Sequence, residues 1–291
     1  MNKIAVVIPT YNRRKLLHNL LQQLFQIENS KFEYNVVVVV DGSTDGTIEM
    51  LTKDFPEVHI IYGNGNWWYT KSMNEGFKYL KDKNPDYLLL LNDDVCIQRD
   101  YLSFLLNAAI KKNDKAIITS ICFSDKAPYV LFDAGVSRII WWRFKFVKYY
   151  KRFSEVKIED FSGLVPTEIV TGRGTLIPAH ILYTLNMYDE KYIQYGSDLD
   201  LGLKAIKQGY KCFISYDAKV YSIIETTGKG ASFIKTSFFD FIKNLFNKYT
   251  MTYLPDSFRL AWNYGNRWLY PLTCAIIILG NFKAYFFNKK Y

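Results

Sequence analysis

Tyr87-Leu88-Leu89-Leu90-Leu91-Asn92-Asp93-Asp94 is the stretch that decides the fold, because an unbroken apolar run ends there in two adjacent carboxylates. Such a run, bounded by turn-forming residues, is typical of a strand that is covered on both faces. In an open α/β sheet, ligands collect beyond the carboxyl ends of these strands. Adjacent acids repel one another there, and their oxygens suit Mg²⁺ or Mn²⁺. Taken alone, the motif also fits an ordinary turn, since Asn and Asp favour turns.

Three earlier apolar runs, separated by helix-like segments, place this strand in a βαβ series. The predicted strands are Ile4–Pro9, Val36–Asp41 and His59–Tyr62, and leucines at helical spacing from Leu16 to Leu24 predict the first helix. We therefore expect an α/β fold with one mostly parallel central sheet flanked by helices. Beyond residue 95 the pattern predicts a helix over 102–110, a strand over 116–122, an irregular region to 152, a strand over 169–178, and a helix from Asp198 that Gly209 closes.

The composition excludes a disordered or fibrous protein, because 49% of the 291 residues are apolar. A net charge of +9 favours an anionic partner such as a nucleotide, a nucleic acid or an anionic lipid surface. The four cysteines are far apart and predict neither a zinc site nor a disulfide framework. The N-terminus enters a strand at once and lacks the regions of a signal peptide, so we expect a cytoplasmic protein.

The last sixty residues differ from the rest in being rich in aromatic residues and lysine. We expect residues 231–291 to form a helical C-terminal segment beside a catalytic domain over 1–230. The apolar run Leu269–Phe282 is shorter than the roughly 20 residues of a membrane span, which predicts a helix that is buried or lies at a membrane interface. A further basic and aromatic face is predicted around Ile139–Trp142, Arg143, Lys145 and Lys148.

The loop after the first strand, Pro9-Thr10-Tyr11-Asn12-Arg13, lacks the glycines of a dinucleotide fingerprint, and no GxxxxGK[ST] loop occurs in the chain. NAD binding and the phosphate loop of NTPases are therefore not expected. An aromatic ring, a hydroxyl and an arginine stand at the ligand edge instead, joined by Asp41 and Ser43 from the next strand. These groups suit a stacked base with a diphosphate nearby.

Three motifs together resemble inverting family 2 glycosyltransferases with the GT-A fold: residues 7–13, residues 40–47 and Leu91-Asn92-Asp93-Asp94. The resemblance implies a nucleotide-diphosphate-sugar donor, an acceptor hydroxyl and a divalent metal cofactor, Mg²⁺ or Mn²⁺. It also implies that Asp41 bonds the base, that Asp93 lies near the ribose or sugar, and that Asp94 is the metal ligand. The donor half of the domain would cover about 1–95 and the acceptor half about 96–230.

Residues 63–76 are similar to the segment after the third strand in polysaccharide-building members, many of them assigned as rhamnosyltransferases. The resemblance implies that Trp68 contacts the acceptor, although packing is an alternative for at least one of the two tryptophans. Arg173, between two glycines, would neutralise the leaving diphosphate or remain a surface charge. The donor site implied in this way comprises Pro9, Thr10, Tyr11, Arg13, Asp41, Ser43, Asn66, Lys71, Asn74, Asp93 and Arg173.

Residues 195–201 align with the family's Glu-Asp-x-Asp-Leu motif, which implies that Asp198 is the base that deprotonates the acceptor. Ser197 and Asp200 would contact the acceptor. Carboxylates at a helix start also serve as caps, which is the alternative for both acids. The chain departs from the family pattern in having Asn92, Ser197 and Ser222 where relatives carry an acid, a Glu and a metal-binding His. We therefore expect weak metal binding in the absence of nucleotide.

The resemblance implies transfer of a sugar from a UDP- or dTDP-sugar to a growing cell-surface glycan or a lipid-linked acceptor, at the inner face of the cell membrane. The basic and aromatic C-terminal segment favours peripheral contact with anionic lipid there. Two alternatives stay open: a nucleotidyltransferase, and a non-catalytic sugar- or polyanion-binding protein of the same fold. A nucleic-acid partner is not expected, because carboxylates at the strand ends would repel its phosphates. The donor sugar, the linkage and the oligomeric state are not fixed by the sequence.

Overall fold

A computed structural model describes residues 1–27, 32–223 and 237–287 of the chain. The strands are β1 (Asn2–Thr10), β2 (Phe32–Asp41), β3 (His59–Gly63), β4 (Tyr87–Leu91), β5 (Val95–Ile97), β6 (Ala116–Ser124), β7 (Leu131–Asp133), β8 (Val136–Ile140), β9 (Lys145–Lys148), β10 (Leu164–Pro166), β11 (Arg173–Pro178) and β12 (Lys211–Ser222). The α-helices are α1 (Arg14–Leu24), α2 (Thr47–Asp54), α3 (Trp68–Lys81), α4 (Tyr101–Lys111), α5 (Ala179–Thr184), α6 (Ser197–Lys207), α7 (Phe238–Leu245), α8 (Leu254–Tyr264) and α9 (Tyr270–Phe287).

Ten strands form one sheet whose main path runs β10-β12-β6-β11-β4-β1-β2-β3, with β5 beside β12 and β7 beside β6. The pairs β1–β2, β1–β4, β2–β3 and β6–β12 are parallel, whereas β11 runs antiparallel to both of its neighbours, β4 and β6. The predicted α/β fold with a central sheet and flanking helices is confirmed. The orientation of β11 makes the sheet mixed in its second half.

Helices cover both faces of the sheet, and for this reason the central strands are continuous apolar runs. The valines of β2 and the leucines of β4 are all buried. On one face they pack against α1 and α4, and on the other against α3, α5 and α6. With its faces covered in this way, the sheet leaves the carboxyl ends of its parallel strands free for a ligand.

The region to residue 152, predicted as irregular, contains three short strands, β7 to β9, of which β8 and β9 form a two-stranded sheet. The strand predicted over 169–178 begins only at Arg173, because the backbone N–H of Gly172 donates to a side chain instead of a neighbouring strand. The predicted basic and aromatic face is exposed only in part: Ile139 is buried, and the ring of Trp141 packs 5.8 Å from that of Tyr264.

The C-terminal helices α7, α8 and α9 pack against one another around a small apolar cluster of their own. The expectation that the apolar run is too short to cross a membrane was wrong, because the helix continues to Phe287. By length and composition alone, the 21 residues Arg267–Phe287 suffice for a span, and most of them are exposed. Part of the predicted C-terminal segment, residues 231–236 and 288–291, lies outside the described residues.

Candidate active site

The loops that follow β1, β2 and β4 meet at one edge of the sheet, and they enclose a cavity of about 1250 Å³. β11 begins at this same edge, since Arg173 pairs with Leu91 at the end of β4. The residues that line the cavity on the sheet side are Pro9, Thr10, Tyr11, Arg13, Asp41, Gly65, Trp68, Tyr69, Ser72, Asn92, Asp93, Asp94 and Arg173. The order of the strands therefore gathers most of the predicted donor residues in one place.

The two adjacent carboxylates after β4 are buried and share one arginine. Arg13 Nη1 lies 2.9 Å from Asp93 Oδ1 and 3.2 Å from Asp94 Oδ2, and Thr10 Oγ1 donates to Asp93 Oδ2 at 2.8 Å. Burial, together with the charge of Asp94, raises the pKa of Asp93 to about 6 against the opposing effect of Arg13. Without a bound cation, Arg13 is thus the group that balances this acidic pair.

Oxygen atoms around Asp94 fit a hard divalent cation in part. Asn92 Oδ1 and Ser222 Oγ are both buried without a hydrogen-bond partner in the described part of the chain, and Ser222 pairs with Val95, directly after Asp94. Unsatisfied buried oxygens of this kind are unusual, and a hard cation would satisfy them. Residues 1–27, 32–223 and 237–287 hold no cluster of three or more His, Cys, Asp or Glu for a metal. Asp94 with these neutral oxygens would therefore need donor phosphates to complete a coordination shell.

Asp41 is engaged in holding the loop before α3. Its Oδ1 accepts from the N–H of Gly65 at 2.8 Å, and its Oδ2 accepts from the N–H groups of Trp67 and Trp68 at 2.8 and 2.9 Å. Gly63 must be glycine, because an added Cβ would lie 2.5 Å from Asp41 Oδ1. Asp41 also lines the cavity, and the loop holds its carboxylate in place. Its hydrogen bond to the nucleobase of a donor stays a prediction.

Asp198, the predicted base, begins helix α6 and lies directly behind the cavity wall. Its Oδ1 accepts hydrogen bonds from the phenols of Tyr69, at 3.0 Å, and Tyr188, and its Oδ2 accepts from the N–H of Gly172 at 3.0 Å. Burial raises the pKa of Asp198, while these three donors and the charge of Arg173 act to lower it. A carboxylate with a raised pKa beside a ligand cavity is the arrangement expected of a general base.

Tyr69 connects this carboxylate to the cavity, because its side chain lines the cavity while its hydroxyl donates to Asp198. An added Cβ on Gly172 would lie 2.0 Å from the Tyr69 hydroxyl and 3.0 Å from Asn92 Oδ1. The glycine is therefore required for the phenol to reach the carboxylate. Sequence reasoning assigned no role to Tyr69 or Tyr188. Tyr69 lies within the quoted segment 63–76, and nothing in the sequence distinguishes Tyr188.

Several residues that were predicted to bind the donor or the acceptor do not line the cavity. Asn74 is buried in α3 and exchanges hydrogen bonds with the backbone of Tyr188, which holds the loop carrying that phenol. Asp200 accepts from the Tyr264 hydroxyl at 2.7 Å and thereby anchors α8. Lys71 lies over the Trp67 ring, and the Ser43 hydroxyl accepts a hydrogen bond from the N–H of Asn12. Asn66 is exposed. Ser197 is buried, and its hydroxyl has no hydrogen-bond partner among the described residues.

Trp68 lies at the rim of the cavity and joins it to the C-terminal segment. Its ring stacks on that of Tyr249, with centroids 3.9 Å apart, and its φ of +57° is unusual for a bulky residue. Met251, from the same segment, also lines the cavity. Trp68 thus lines the cavity and also packs against another aromatic ring, and its contact with the acceptor stays a prediction.

A mixed sheet that carries a nucleotide-sized cavity at its strand ends, with an acidic pair after β4 and a carboxylate at the start of α6, defines the GT-A class of sugar-transferring enzymes. The sequence profile of glycosyl transferase family 2 matches residues 5–163, more than half of the chain. The chain belongs to this family and is a glycosyltransferase.

Relatives agree with this assignment. The dTDP-rhamnosyl transferase RfbF of Shigella flexneri is 25% identical over 228 residues, which cover 77% of this chain and 70% of that protein. A dolichyl N-acetylglucosaminyl phosphate glucuronosyltransferase of Methanococcus voltae is 23% identical over 258 residues, covering 81% and 70%. A structure of the transferase GalNAc-T7 with UDP, GalNAc and Mn²⁺ superimposes with a TM-score of 0.63 at 16% identity, covering 77% of this chain and 44% of that one. This last likeness concerns the fold alone.

Proposed function

We propose that the protein transfers a sugar, with inversion, from a UDP- or dTDP-sugar to a hydroxyl of a growing cell-surface glycan or a lipid-linked glycan. The observation that carries this proposal is the position of Asp198, which is held by three donors directly behind the cavity into which Arg173 and the Asp93–Asp94 pair project. Relatives named for dTDP-rhamnose transfer and for transfer to a dolichyl-linked sugar support the substrate class.

In the proposed reaction, the acceptor oxygen forms a bond to the anomeric carbon while the bond from that carbon to the donor's phosphate oxygen breaks. The acceptor proton passes to the carboxylate of Asp198, and the electron pair of the broken bond stays on the leaving diphosphate. Attack from the side opposite the leaving group inverts the anomeric centre. Arg173, at the start of β11, supplies positive charge toward that diphosphate.

A divalent cation, Mg²⁺ or Mn²⁺, would be held by Asp94 with the neutral oxygens of Asn92 and Ser222. When bound, such an ion stabilises the negative charge that develops on the diphosphate. Arg13 already pairs with Asp93 and Asp94, so it would have to release Asp94 in part when the cation enters. This competition supports the expectation that the metal binds weakly until the donor's phosphates add their own oxygens.

Turnover of the donor tests the assignment without knowledge of the acceptor. Purified protein is incubated with a panel of UDP- and dTDP-sugars, and release of the nucleoside diphosphate to water is measured for wild type and Asp198→Asn. We expect a loss of about 100- to 10,000-fold in the variant, the range of general base catalysis. UDP and dTDP binding should be unchanged. Asp54→Asn, on α2 outside the cavity, serves as the matched control.

Three results would count against the proposal. Full activity of Asp198→Asn excludes this base, and a transferred sugar that keeps the donor's anomeric configuration excludes inversion. No turnover of any donor by the wild type favours a non-catalytic binding protein. Release of pyrophosphate from a nucleoside triphosphate in the same assay would favour the nucleotidyltransferase alternative, which family membership already disfavours.

We further propose that the C-terminal segment rests on the cytoplasmic face of the membrane. Trp268 is 93% exposed and Leu279 is 66% exposed, with Arg267 and Lys283 nearby in the chain, a combination that suits lipid headgroups. Flotation with vesicles that contain anionic lipid is expected for wild type and should be lost when Trp268 and Leu279 are replaced by Gln. Equal flotation of both proteins would contradict this placement.

A further inference from the structure

One wall of the cavity comes from outside the main sheet and is formed by the chain that follows β9. It consists of three cations and three aromatic residues, and all of them line the cavity. We call them the 148–153 wall: Lys148, Tyr149, Tyr150, Lys151, Arg152 and Phe153. The donor and base assignments make no use of this wall.

The cations of the wall have no carboxylate within 4 Å of them in the described part of the chain. Arg152 is fixed by a hydrogen bond from its Nε to the carbonyl oxygen of Phe132, at 2.6 Å. Burial and the charge of Arg152 lower the pKa of Lys148, and the charge of Asp133 only partly opposes them. Like charges held together next to a cavity favour an anionic ligand, which would relieve their repulsion.

The aromatic rings of the wall are also held in place. The Tyr149 hydroxyl donates to the Pro166 carbonyl oxygen at 2.8 Å, and the Tyr150 ring packs 5.0 Å from that of Phe161. Both rings nevertheless stay 40% and 46% exposed. Rings that are rigid before the ligand arrives lose little entropy on binding, so they suit stacking against the apolar face of a sugar.

The wall joins the sheet through β7, away from the strand that carries Asp41. The N–H of Phe153, the last residue of the wall, donates to the Leu131 carbonyl oxygen of β7. β12 pairs with one edge of β6 along its whole length, so β7 lies on the other edge, the one that β11 also uses. Asp41 ends β2, which lies three strands from β11 in the order β11-β4-β1-β2, or about 14 Å at about 4.8 Å per strand. The wall therefore enters the cavity on the side of β11 and β4, and Asp41 lies on the side of β2.

We propose that the 148–153 wall binds the acceptor, and that the acceptor carries a phosphate group next to the sugar ring that receives the transfer. This inference rests on the proposed function and names its acceptor class. The donor's nucleobase is assigned to Asp41 and its diphosphate to Arg173 and the cation at Asp94, which leaves the cations and rings of the wall for the second substrate. The phosphate belongs either to a phosphorylated glycan or to a lipid carrier, and both present the same oxyanion to Lys148, Lys151 and Arg152.

Binding by the full chain tests the inference without turnover. The probes are methyl glucopyranoside 6-phosphate for the glycan source, a short-chain prenyl phosphate for the lipid source, and neutral methyl glucopyranoside as the uncharged reference. We expect tighter binding of at least one phosphorylated probe, and a loss of about ten-fold or more in the double variant Lys148→Gln, Lys151→Gln. Affinity for UDP should change less than two-fold. Lys145→Gln is the matched control, because Lys145 lies on the opposite face of β9 from Phe146 and Lys148 and does not line the cavity.

The pattern of losses distinguishes the outcomes. A wall-dependent affinity for the phosphorylated sugar assigns the glycan source, and one for the prenyl phosphate assigns the lipid carrier. The inference is overturned if the wall variant weakens UDP as much as either phosphorylated probe, or if the neutral sugar binds equally well. Repeating the titrations with Asp198→Asn separates this test from the proposed function, because a variant without transfer activity should still bind the phosphorylated probe.

Discussion

Tyr188 offers the sharpest test of how the protein sets the pKa of Asp198, the proposed general base. The phenol is buried, does not line the cavity, and donates a hydrogen bond to Asp198 Oδ1. Tyr188→Phe removes that donor and leaves the ring, so that packing against Phe77, whose ring lies 5.5 Å away, is kept. The hydrogen bond favours the ionised form of Asp198, and its loss must raise the pKa of the base.

The size of the effect follows from the nature of the bond. A hydrogen bond to a charged group stabilises it by about 1.5–3 kcal/mol, which corresponds to about a 10- to 100-fold change in an ionisation equilibrium. On the acidic side of the pH profile, kcat/KM should therefore fall by about ten-fold or more, because less of the carboxylate is ionised. At alkaline pH, where Asp198 is ionised in both proteins, kcat/KM should be nearly unchanged.

The assay is the pH dependence of kcat/KM for donor turnover in wild type and Tyr188→Phe. Tyr183→Phe is the control, since its hydroxyl donates to the Phe77 carbonyl oxygen, away from Asp198. The acidic limb should move to higher pH only in Tyr188→Phe. An equal loss of activity at every pH would refute the reasoning, because it would indicate a damaged site with the pKa of the base unaltered.

Three further predictions concern other parts of the molecule. Gly172→Ala places a methyl group where the Tyr69 hydroxyl lies, so kcat/KM should fall by about 100-fold while the melting temperature measured by circular dichroism changes little. Asp94→Asn should abolish the additional rise in melting temperature that Mn²⁺ gives in the presence of UDP or dTDP, as measured by differential scanning fluorimetry. The variant should still show a cooperative unfolding transition in the same measurement. Burial raises the pKa of Asp256 in α8 to about 6, above its unfolded value of about 3.9, so its contribution to stability falls as the pH rises through this window. Urea unfolding at pH 4.5 and 6.5 should show a decline that is about 1–3 kcal/mol larger in wild type than in Asp256→Asn, because the raised pKa of Asp93 contributes equally in both proteins.

The first half of the fold was predictable because its signals are local. Each strand is a continuous apolar run, and each helix has its apolar residues at helical spacing, so that the βαβ order follows without knowledge of distant contacts. The prediction that Asp41, Arg13 and the Asp93–Asp94 pair share one edge followed from the same rule. The structure brings all of them to one cavity.

The parts that could not be predicted depend on contacts between distant segments. Tyr188 reaches Asp198 only because Asn74, more than a hundred residues earlier, holds the backbone of its loop. The 148–153 wall follows a short strand in a separate two-stranded sheet, and its position at the cavity depends on pairing with the segment around Leu131. No periodicity within either segment carries this information.

The reversed direction of β11 explains how one edge of the sheet gathers the residues that we assign to both substrates. If β11 were parallel to β4, its last residue would lie at the ligand edge, and the loop after it would lead away into a helix. Because β11 runs antiparallel, it starts at this edge, and the chain enters it through Gly172 and Arg173. The Gly172 N–H thereby points to Asp198, and Arg173 stands beside the end of β4. Asp198, Arg173 and the Asp93–Asp94 pair are thus brought together by a single reversal in strand direction.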